Sequence, residues 1–196
     1  QTAHTRSDQA LFGIVQGGTF ADLRAESAHF IASLGFAGNA VGGLSVGESK
    51  EEMHAMLDVV TDILPSDKPR YLMGVGSPKD LVHGVMRGID IFDCVLPTRL
   101  ARNSAAMTRT GRLNMRKSEY TKDMGPIQLG CDCYCCTHFD RAYIRHLCVA
   151  KEILASTLLT IHNLHLLVSL MREIRSAIFE NRFSEWADMF LGESPR

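Results

Sequence analysis

The chain lacks the features that would place it in an extreme class of protein. No apolar run looks long enough to cross a bilayer and no leader-like segment opens the sequence, so we expect neither a membrane span nor a signal peptide. Internal repeats and low-complexity segments are missing, which argues against a repeat or disordered protein. Neither sign of charge dominates, since 21 basic and 22 acidic residues give a net charge of −1, so the overall field selects no partner. With 45% hydrophobic residues, the 196-residue chain can bury a globular core.

Basic residues are nevertheless concentrated in one stretch. Seven of them fall within residues 99–122, which contain a single acid, Glu119. Such a stripe often faces phosphate groups, although a solvated face is the more common explanation of a charge run. The basic residues of this stripe are Arg99, Arg102, Arg109, Arg112, Arg116, Lys117 and Lys122.

The six cysteines predict a metal site rather than disulfides. Four of them lie within residues 131–136, an awkward spacing for a disulfide framework, and nothing else in the sequence has a secretory character, so a reducing cytosol fits better. Three thiolates and one imidazole form a closed tetrahedral set that is typical of structural zinc. The predicted ligands are Cys131, Cys133, Cys136 and His162.

The fourth ligand is a choice among three histidines. We favour His162, because a helix that begins at Thr160 would place it near the first turn, from which it can reach back to the cysteine loop. His138 and His165 remain rivals, and Cys135 is the extra thiol of the loop.

Residues 11–95 alternate strand-like and helix-like segments. Short connections between alternating segments predict a parallel α/β sheet. Two closures remain open, a doubly wound sheet or half of a (β/α)8 barrel, since a full barrel needs about 250 residues. The predicted strands are 11–16, 40–44, 70–75 and 89–95.

Polar residues mark where the intervening helices begin. Thr19 can cap the first helix, Ser49 and Glu52 form a capping box for the second, and Ser77 followed by Pro78 begins the third. The first helix is predicted to carry its apolar face on Leu23, Phe30, Ile31 and Leu34.

The pattern changes after Arg99. Residues 105–108 and 112–115 flank Thr110-Gly111 and predict a β-hairpin. The cysteine loop follows, and helices are predicted over 140–157, 160–176 and 184–191.

Polar and small residues coincide with the predicted strand ends. Gln16 ends the first strand, Gly42-Gly43 lies in the second, and Met73 with Gly74 ends the third. Ligands of parallel α/β sheets bind at this edge, where a glutamine can pair with a nucleobase, glycines allow close approach and a methionine can cover a ring. Taken singly, the glycines are turn or packing residues and Met73 is core; their shared position favours a site.

Asp93 has the most informative position of the carboxylates. It lies near the end of the fourth strand between apolar neighbours, where a charge needs a purpose or a partner. It could cap a helix, pair with Arg99, or attack an anomeric carbon as a carboxylate nucleophile. Asp90 competes for these roles, but it lies at the start of the strand and alternates to the other face.

Six segments together resemble the bacterial tRNA-guanine transglycosylases, also called queuine tRNA-ribosyltransferases. They are LFGIVQGG (11–18), AVGGLSVGE (40–48), YLMGVGSPKDL (71–81), FDCVLPTR (92–99), CDCYCC (131–136) and IHN (161–163), in the family's order and spacing. The resemblance implies an irregular (β/α)8 TIM barrel with a zinc-binding helical subdomain. This chain resembles the C-terminal half: residues 1–98 as the second half of the barrel and 99–196 as the hairpin and zinc-binding subdomain.

By this resemblance the chain exchanges guanine at the wobble anticodon position of tRNA for preQ1, a 7-deazaguanine, in queuosine biosynthesis. Asp93 would be the nucleophile that attacks ribose C1′. The incoming base would be bound by Gln16 and Gly43, in a pocket lined by Gly42, Leu44 and Met73. The implied RNA-contacting loops are Gly74, Val75, Gly76, Ser77, Pro78, Lys79 and Asp80, and Thr98, Arg99, Leu100, Ala101 and Arg102.

The same resemblance implies one structural zinc ion, a tRNA anticodon loop as partner, a cytoplasmic location and a homodimer. Leu100 and Ser104 depart from the family's usual residues in the arginine loop. The family's general acid/base aspartate precedes the region that this chain matches. Two alternatives therefore stay open: a non-catalytic tRNA-binding fragment or partner subunit, and a zinc-stabilised structural domain.

Overall fold

In the computed structural model, which describes residues 4–192, the first half of the chain forms a four-stranded parallel sheet. The strand order is β1-β2-β3-β4, so each strand pairs with its neighbour in sequence. This confirms the predicted parallel α/β sheet. The elements are β1 (Phe12–Val15), α1 (Ala21–Ser33), β2 (Gly38–Val41), α2 (Lys50–Thr61), β3 (Arg70–Leu72), α3 (Pro78–Met86) and β4 (Ile91–Phe92).

The second half begins with a helix and an antiparallel hairpin, followed by further helices. The predicted hairpin is present, but its second strand begins one residue earlier than predicted, because Gly111 pairs with Thr108 and Asn114 with Ala105. The elements are α4 (Leu96–Arg102), β5 (Ala105–Thr108), β6 (Gly111–Asn114), a 3-10 turn (Ser118–Tyr120), α5 (Tyr134–His138), α6 (Arg141–Ala150), α7 (Ile153–Phe179) and α8 (Phe183–Leu191).

The chain divides into two compact units, each with its own core. One unit holds the chain up to Cys94 and again from Ala187, and the other holds Val95–Trp186. The boundary lies shortly before the predicted one at 98/99, and the division into domains stays a prediction. In the first unit, buried strand residues such as Val41 pack with residues of α1 and α2. In the second, the cysteine loop packs with α6 and the start of α7.

Two of the three predicted helix caps are present. Ser49 and Glu52 form a reciprocal capping box on α2, and the Ser77 hydroxyl accepts from the N–H of Asp80 at the start of α3. The prediction for Thr19 was wrong, because α1 begins after Phe20 without a side-chain cap.

The strands are shorter than the apolar runs that predicted them, which changes where several residues lie. Gly42 and Gly43 follow β2 rather than lie in it, and Asp93 comes directly after β4. The fourth strand does not continue to Val95, which instead caps α4. The predicted arginine loop at 98–102 is therefore part of a helix.

The long helix α7 corrects two further predictions. It runs unbroken through residues 157–160, and the break falls at Lys151, which ends α6 in the left-handed conformation with φ 60°. By length and composition alone it could cross a membrane, with mean hydropathy 1.6, so the expectation of no such run was wrong. In this fold, however, one face of α7, including His162 and Asn163, is buried within the second unit.

The buried face of α1 agrees with the predicted one only in part, since Ile31 packs against the core of the first unit. Leu23 and Phe30 are exposed, whereas Arg24 and Ala28 are fully buried. The helix is rotated by about one residue (~100°) relative to the prediction. It thereby points an arginine, not a leucine, at the ends of β1 and β2.

Candidate functional site

Asp93 is held at the end of β4 by two donors, one in β3 and one in the loop that follows β3. Its Oδ1 accepts a hydrogen bond from the Tyr71 hydroxyl at 2.6 Å and another from the Gly74 N–H at 2.9 Å. These bonds, that from Tyr71 first, hold the pKa of Asp93 below its usual value, and the same bond raises the pKa of Tyr71. Asp93 is exposed, so the structure presents an ionised, oriented carboxylate to solvent.

Asp90, the competing carboxylate, has a structural position. It accepts a hydrogen bond from the Arg70 N–H at 2.9 Å, and the Asp90 N–H in turn bonds to the Arg70 carbonyl. This exchange joins the starts of β3 and β4, at the end of the strands away from Asp93.

Gln16 and the two glycines after β2 lie against one another. A Cβ on Gly43 would come within 2.5 Å of the Gln16 Oε1, and one on Gly42 within 2.7 Å of its Nε2. Gly43 also has φ +64°, which disfavours any side chain. Glycine at both positions therefore leaves the exposed Gln16 amide free to lie flat on this rim.

The other two predicted pocket residues differ in exposure. The Met73 side chain is half-buried, and its N–H bonds to the Val41 carbonyl at 3.1 Å, which extends the sheet toward the rim. Leu44 is 3% exposed and belongs to the core of the first unit. Of Leu44, only the backbone is placed to line a ligand.

Arg24, which was not among the predicted site residues, holds this rim in place through hydrogen bonds to backbone carbonyls. Its guanidinium donates to the carbonyls of Val15 (3.3 Å), Gly18 (2.8 Å), Gly42 (2.7 Å) and Gly43 (3.1 Å). Burial lowers the pKa of Arg24, offset in part by Glu48. A fully buried arginine bonded to four carbonyls fixes the segments that follow β1 and β2, which carry Gln16 and the two glycines.

The loop after Leu44 is closed by Glu48, another residue that the sequence analysis did not single out as functional. Its carboxylate accepts from the N–H groups of Ser45 and Val46, the latter at 3.1 Å. Burial alone would raise the pKa of Glu48, but the surrounding backbone N–H groups together hold it below its usual value. An ionised Glu48 therefore fixes the loop conformation, in which Ser45 has φ 66°.

The first predicted RNA-contacting segment, 74–80, is mostly engaged within its own unit. Asp80 is 9% exposed and bonds to the Lys50 ammonium at 2.8 Å, so its charge is already paired. Gly76 lies against Cys94, where a Cβ would come within 2.4 Å of another Cβ. Gly74 and Lys79 are the exposed members of the segment.

The second predicted segment, 98–102, lies on α4. Arg99 and Arg102 are exposed, whereas Ala101 is 1% exposed and packs in the core of the second unit. Thr98 bonds back to the Val95 carbonyl at 3.1 Å, and Leu100 is half-buried. The helix thus presents its two arginines on the side away from its buried alanine.

The four predicted metal ligands lie together in the second unit. The Sγ atoms of Cys131, Cys133 and Cys136 lie 3.8, 3.7 and 3.4 Å from the His162 Nδ1, and all four ligand atoms are within 4.8 Å of one another. Tetrahedral zinc with ordinary bond lengths separates sulfur from nitrogen by about 3.6 Å. The cluster could therefore hold one metal ion with four protein ligands.

The protonation of His162 also suits a ligand. Its Nε2 lies 3.0 Å from the Met107 carbonyl, which can only accept, so the proton is on Nε2 and Nδ1 is free to bind. Burial lowers the pKa of His162, which keeps the ring neutral. Burial raises the pKa of the Cys133 and Cys136 thiols, so a bound cation would be the group that stabilises them as thiolates.

The rival ligands point elsewhere. His138 is exposed and bonds to the Tyr134 carbonyl at 3.0 Å, and His165 pairs with Asp132 at 2.8 Å. Cys135 is fully buried in the core, which raises the pKa of its thiol to about 12. His162 joins the cluster from the third turn of α7, not from a first turn as the sequence analysis expected.

Comparison with known proteins gives the same family along the whole chain. The family model described as queuine tRNA-ribosyltransferase matches residues 1–196. Proteins named queuine tRNA-ribosyltransferase from Pelotomaculum thermopropionicum and Symbiobacterium thermophilum are each 58% identical over 97% of this chain. One from Caldanaerobacter subterraneus is 55% identical over 96% of it. The chain spans about half the length of these curated relatives, 52%, 48% and 51% respectively.

Proposed function

Because this chain belongs to the queuine tRNA-ribosyltransferase family, we propose that it carries the nucleophile and base-binding rim of a tRNA-guanine transglycosylase. The reaction is the exchange of guanine at the wobble position of a tRNA anticodon for preQ1, a pentosyl transfer. The observation that carries the proposal is the ionised Asp93, oriented by Tyr71 and Gly74 at the strand ends where Gln16 also lies.

The chemistry follows from these groups in two displacements. An Asp93 oxygen attacks ribose C1′, and the bond from C1′ to guanine N9 breaks, its electron pair leaving with guanine. A general acid protonates the departing base; by the family resemblance it is an aspartate outside the matched region. The N9 of the incoming base then gives its proton to that aspartate, which now acts as a base, and attacks C1′; the bond from C1′ to the Asp93 oxygen breaks and its electron pair leaves with the carboxylate.

The rim selects the base by shape and hydrogen bonding. The Gln16 amide offers one donor and one acceptor to a purine edge, and the absence of side chains at Gly42 and Gly43 admits a flat ring. Met73 is half-buried beside this rim, where its thioether can cover a ring face. The target base must leave the anticodon stack to reach such a pocket.

The second unit is proposed to bind the tRNA. The exposed Arg99 and Arg102 of α4 would contact phosphates of the RNA, and Gly74 and Lys79 are the exposed candidates of the first unit for a separate RNA contact. Zinc is the proposed metal, because three thiolates and an imidazole suit it better than harder cations. It would supply a structural crosslink between the cysteine loop and α7.

The family resemblance supports three further proposals about the full-length protein. Its sheet would close into an irregular (β/α)8 barrel, with residues 1–98 as the second half and 99–196 as the zinc-binding subdomain. It would act as a homodimer in the cytoplasm. Within residues 4–192, β1 and β4 are the edge strands of the sheet, and barrel closure would pair their outer sides.

The test is incorporation of labelled guanine into tRNA. The chain is supplied with the first half of the Pelotomaculum relative, as a chimera or as a mixture. We expect exchange with Asp93 and none with Asp93→Asn, which should still bind tRNA. Asp90→Asn is the matched control, because its carboxylate joins strand starts, and it should retain exchange.

Persistent exchange by Asp93→Asn would remove the nucleophile assignment. If neither the wild-type chain nor Asp93→Asn supports exchange but both still bind tRNA, the chain is a non-catalytic binding module.

A further inference from the structure

Asn163 lies next to a metal ligand but has partners of its own. It is fully buried, and its side chain makes three hydrogen bonds within the second unit. Its Oδ1 accepts from the Met107 N–H at 2.7 Å, and its Nδ2 donates to the carbonyls of Pro97 at 2.9 Å and Ala105 at 3.2 Å. One amide therefore ties α7 to both the hairpin and α4.

The hairpin contact is shared with the metal centre. The Met107 carbonyl accepts from His162, and the Met107 N–H donates to Asn163, so two consecutive residues of α7 hold both polar groups of one β5 residue. Whatever fixes the His162 ring thus also fixes the register of β5 against α7.

The contact with α4 is the one that has a functional consequence. Pro97 lies in the first turn of α4, a helix of seven residues that begins at Leu96, after Val95, without a side-chain cap. Helices this short are not stable alone and take their direction from tertiary contacts. The same helix carries Arg99 and Arg102, two and five residues further on, both exposed.

We propose that Asn163 is a positioning residue that fixes α4 so that Arg99 and Arg102 face the RNA. The inference rests on the proposed function, because it needs these arginines to contact tRNA. It assigns to Asn163 no contact with RNA, base or metal. Its effect on binding passes entirely through the direction of α4.

The decisive variant is Asn163→Asp, which preserves size and the acceptor but replaces the donor to Pro97 and Ala105 by a carboxylate oxygen. We expect one bound metal per chain and a loss of tRNA affinity on the order of tenfold. The slope of log affinity against log salt should shrink by about one to two, as for loss of the two arginine–phosphate contacts. Asn114→Ala is the control, because its side chain bonds only across an exposed turn, to Arg116.

A double-mutant cycle separates positioning from general damage. In a protein that already carries Arg99→Ala and Arg102→Ala, Asn163→Asp should weaken tRNA binding no further. Full additivity, or wild-type affinity and salt slope in Asn163→Asp with its metal retained, would overturn the inference.

The proposed function fails separately from this inference. If the wild-type protein does not bind tRNA, or the two arginine substitutions leave binding unchanged, then the RNA-binding assignment of α4 is wrong. Asn163→Ser, which shortens the side chain without adding charge, is the second variant. Loss of the metal in both Asn163 variants would also overturn the inference, because Asn163 would then act on the metal centre.

Discussion

Removing one hydroxyl group should change the ionisation of the proposed nucleophile. Tyr71→Phe deletes the 2.6 Å bond to Asp93 and leaves the 2.9 Å bond from the Gly74 N–H. The Tyr71 bond is the larger cause of the lowered pKa of Asp93, so its loss raises that pKa. Since Asp93 must be ionised to attack ribose, the acid limb of the pH–rate profile should move to higher pH.

The size of the effect follows from the exposure of the site. A hydrogen bond to a charged group contributes about 1.5–3 kcal/mol when it is buried. Asp93 is exposed, so water can replace the lost hydrogen bond in part, and we expect a net contribution of about 0.5–1 kcal/mol from the Tyr71 hydroxyl. That corresponds to roughly a two- to fivefold loss of exchange rate in acid, where Asp93 is partly protonated, and to little change at neutral pH, where it stays ionised. The small stability contribution of this bond is likewise present above the unfolded-state pKa and lost as pH falls through the folded one.

Two measurements check this prediction independently. Carbon-13 NMR titration of the Asp93 carboxyl should show a higher pKa in Tyr71→Phe than in the wild-type chain, and the exchange assay should show the shifted acid limb. Tyr143→Phe removes a hydroxyl from the other compact unit and should change neither. If Asp93 titrates at the same pH in both proteins, the Tyr71 bond does not control its ionisation and the reasoning is refuted.

Two other perturbations test the groups that hold the base-binding rim and the cysteine loop in place. Arg24→Lys keeps a buried charge but cannot reach four carbonyls, so the free energy of urea unfolding should fall by about 2–3 kcal/mol. Guanine affinity, measured by calorimetry, should fall with it. Unchanged guanine affinity would show that Arg24 does not hold the base-binding rim. Chelation of the metal should lower the thermal midpoint and open Cys131, the half-buried ligand thiol, to alkylation first, while the fully buried Cys135 stays unlabelled until the unit unfolds. Peptide mapping that finds Cys135 labelled first would contradict this assignment of ligands.

The order of the fold was predictable because its signals are local. The apolar runs, the capping box at Ser49 and the hairpin turn each depend on a few adjacent residues, although the turn lies at Arg109-Thr110, one residue before its predicted position. Strand ends were overestimated because an apolar run continues after ladder pairing stops: residues 93–95 leave the sheet although their neighbours are apolar. The break at Lys151 was missed because its left-handed conformation occurs at a residue that rarely adopts it.

The site was only partly predictable, because some of its residues act through the backbone. Gln16 and Asp93 were recognisable as candidates from their side-chain chemistry, and Gly43 from its position near a strand end. Arg24 was not, because its partners are carbonyl oxygens that no sequence pattern displays. One signal was present in the sequence. Arg24 shares a helical row with Ala28 and Ile31, so an arginine interrupts the apolar face of the helix that follows Gly17-Gly18.

The metal loop shows why neighbouring thiols in sequence are not equivalent ligands. Cys133 caps α5, and its Sγ accepts from the Cys136 N–H at 3.3 Å, which brings both thiols to the start of that short helix. Cys135 lies two residues beyond the cap, about 200° around the helix from Cys133, and so points into the core. The same reasoning applies to α7, where His162 and Asn163 are adjacent and therefore point about 100° apart. One helix can thus direct an imidazole to the candidate metal site and an amide to α4, which is why substitutions at the two positions should be separable by metal content.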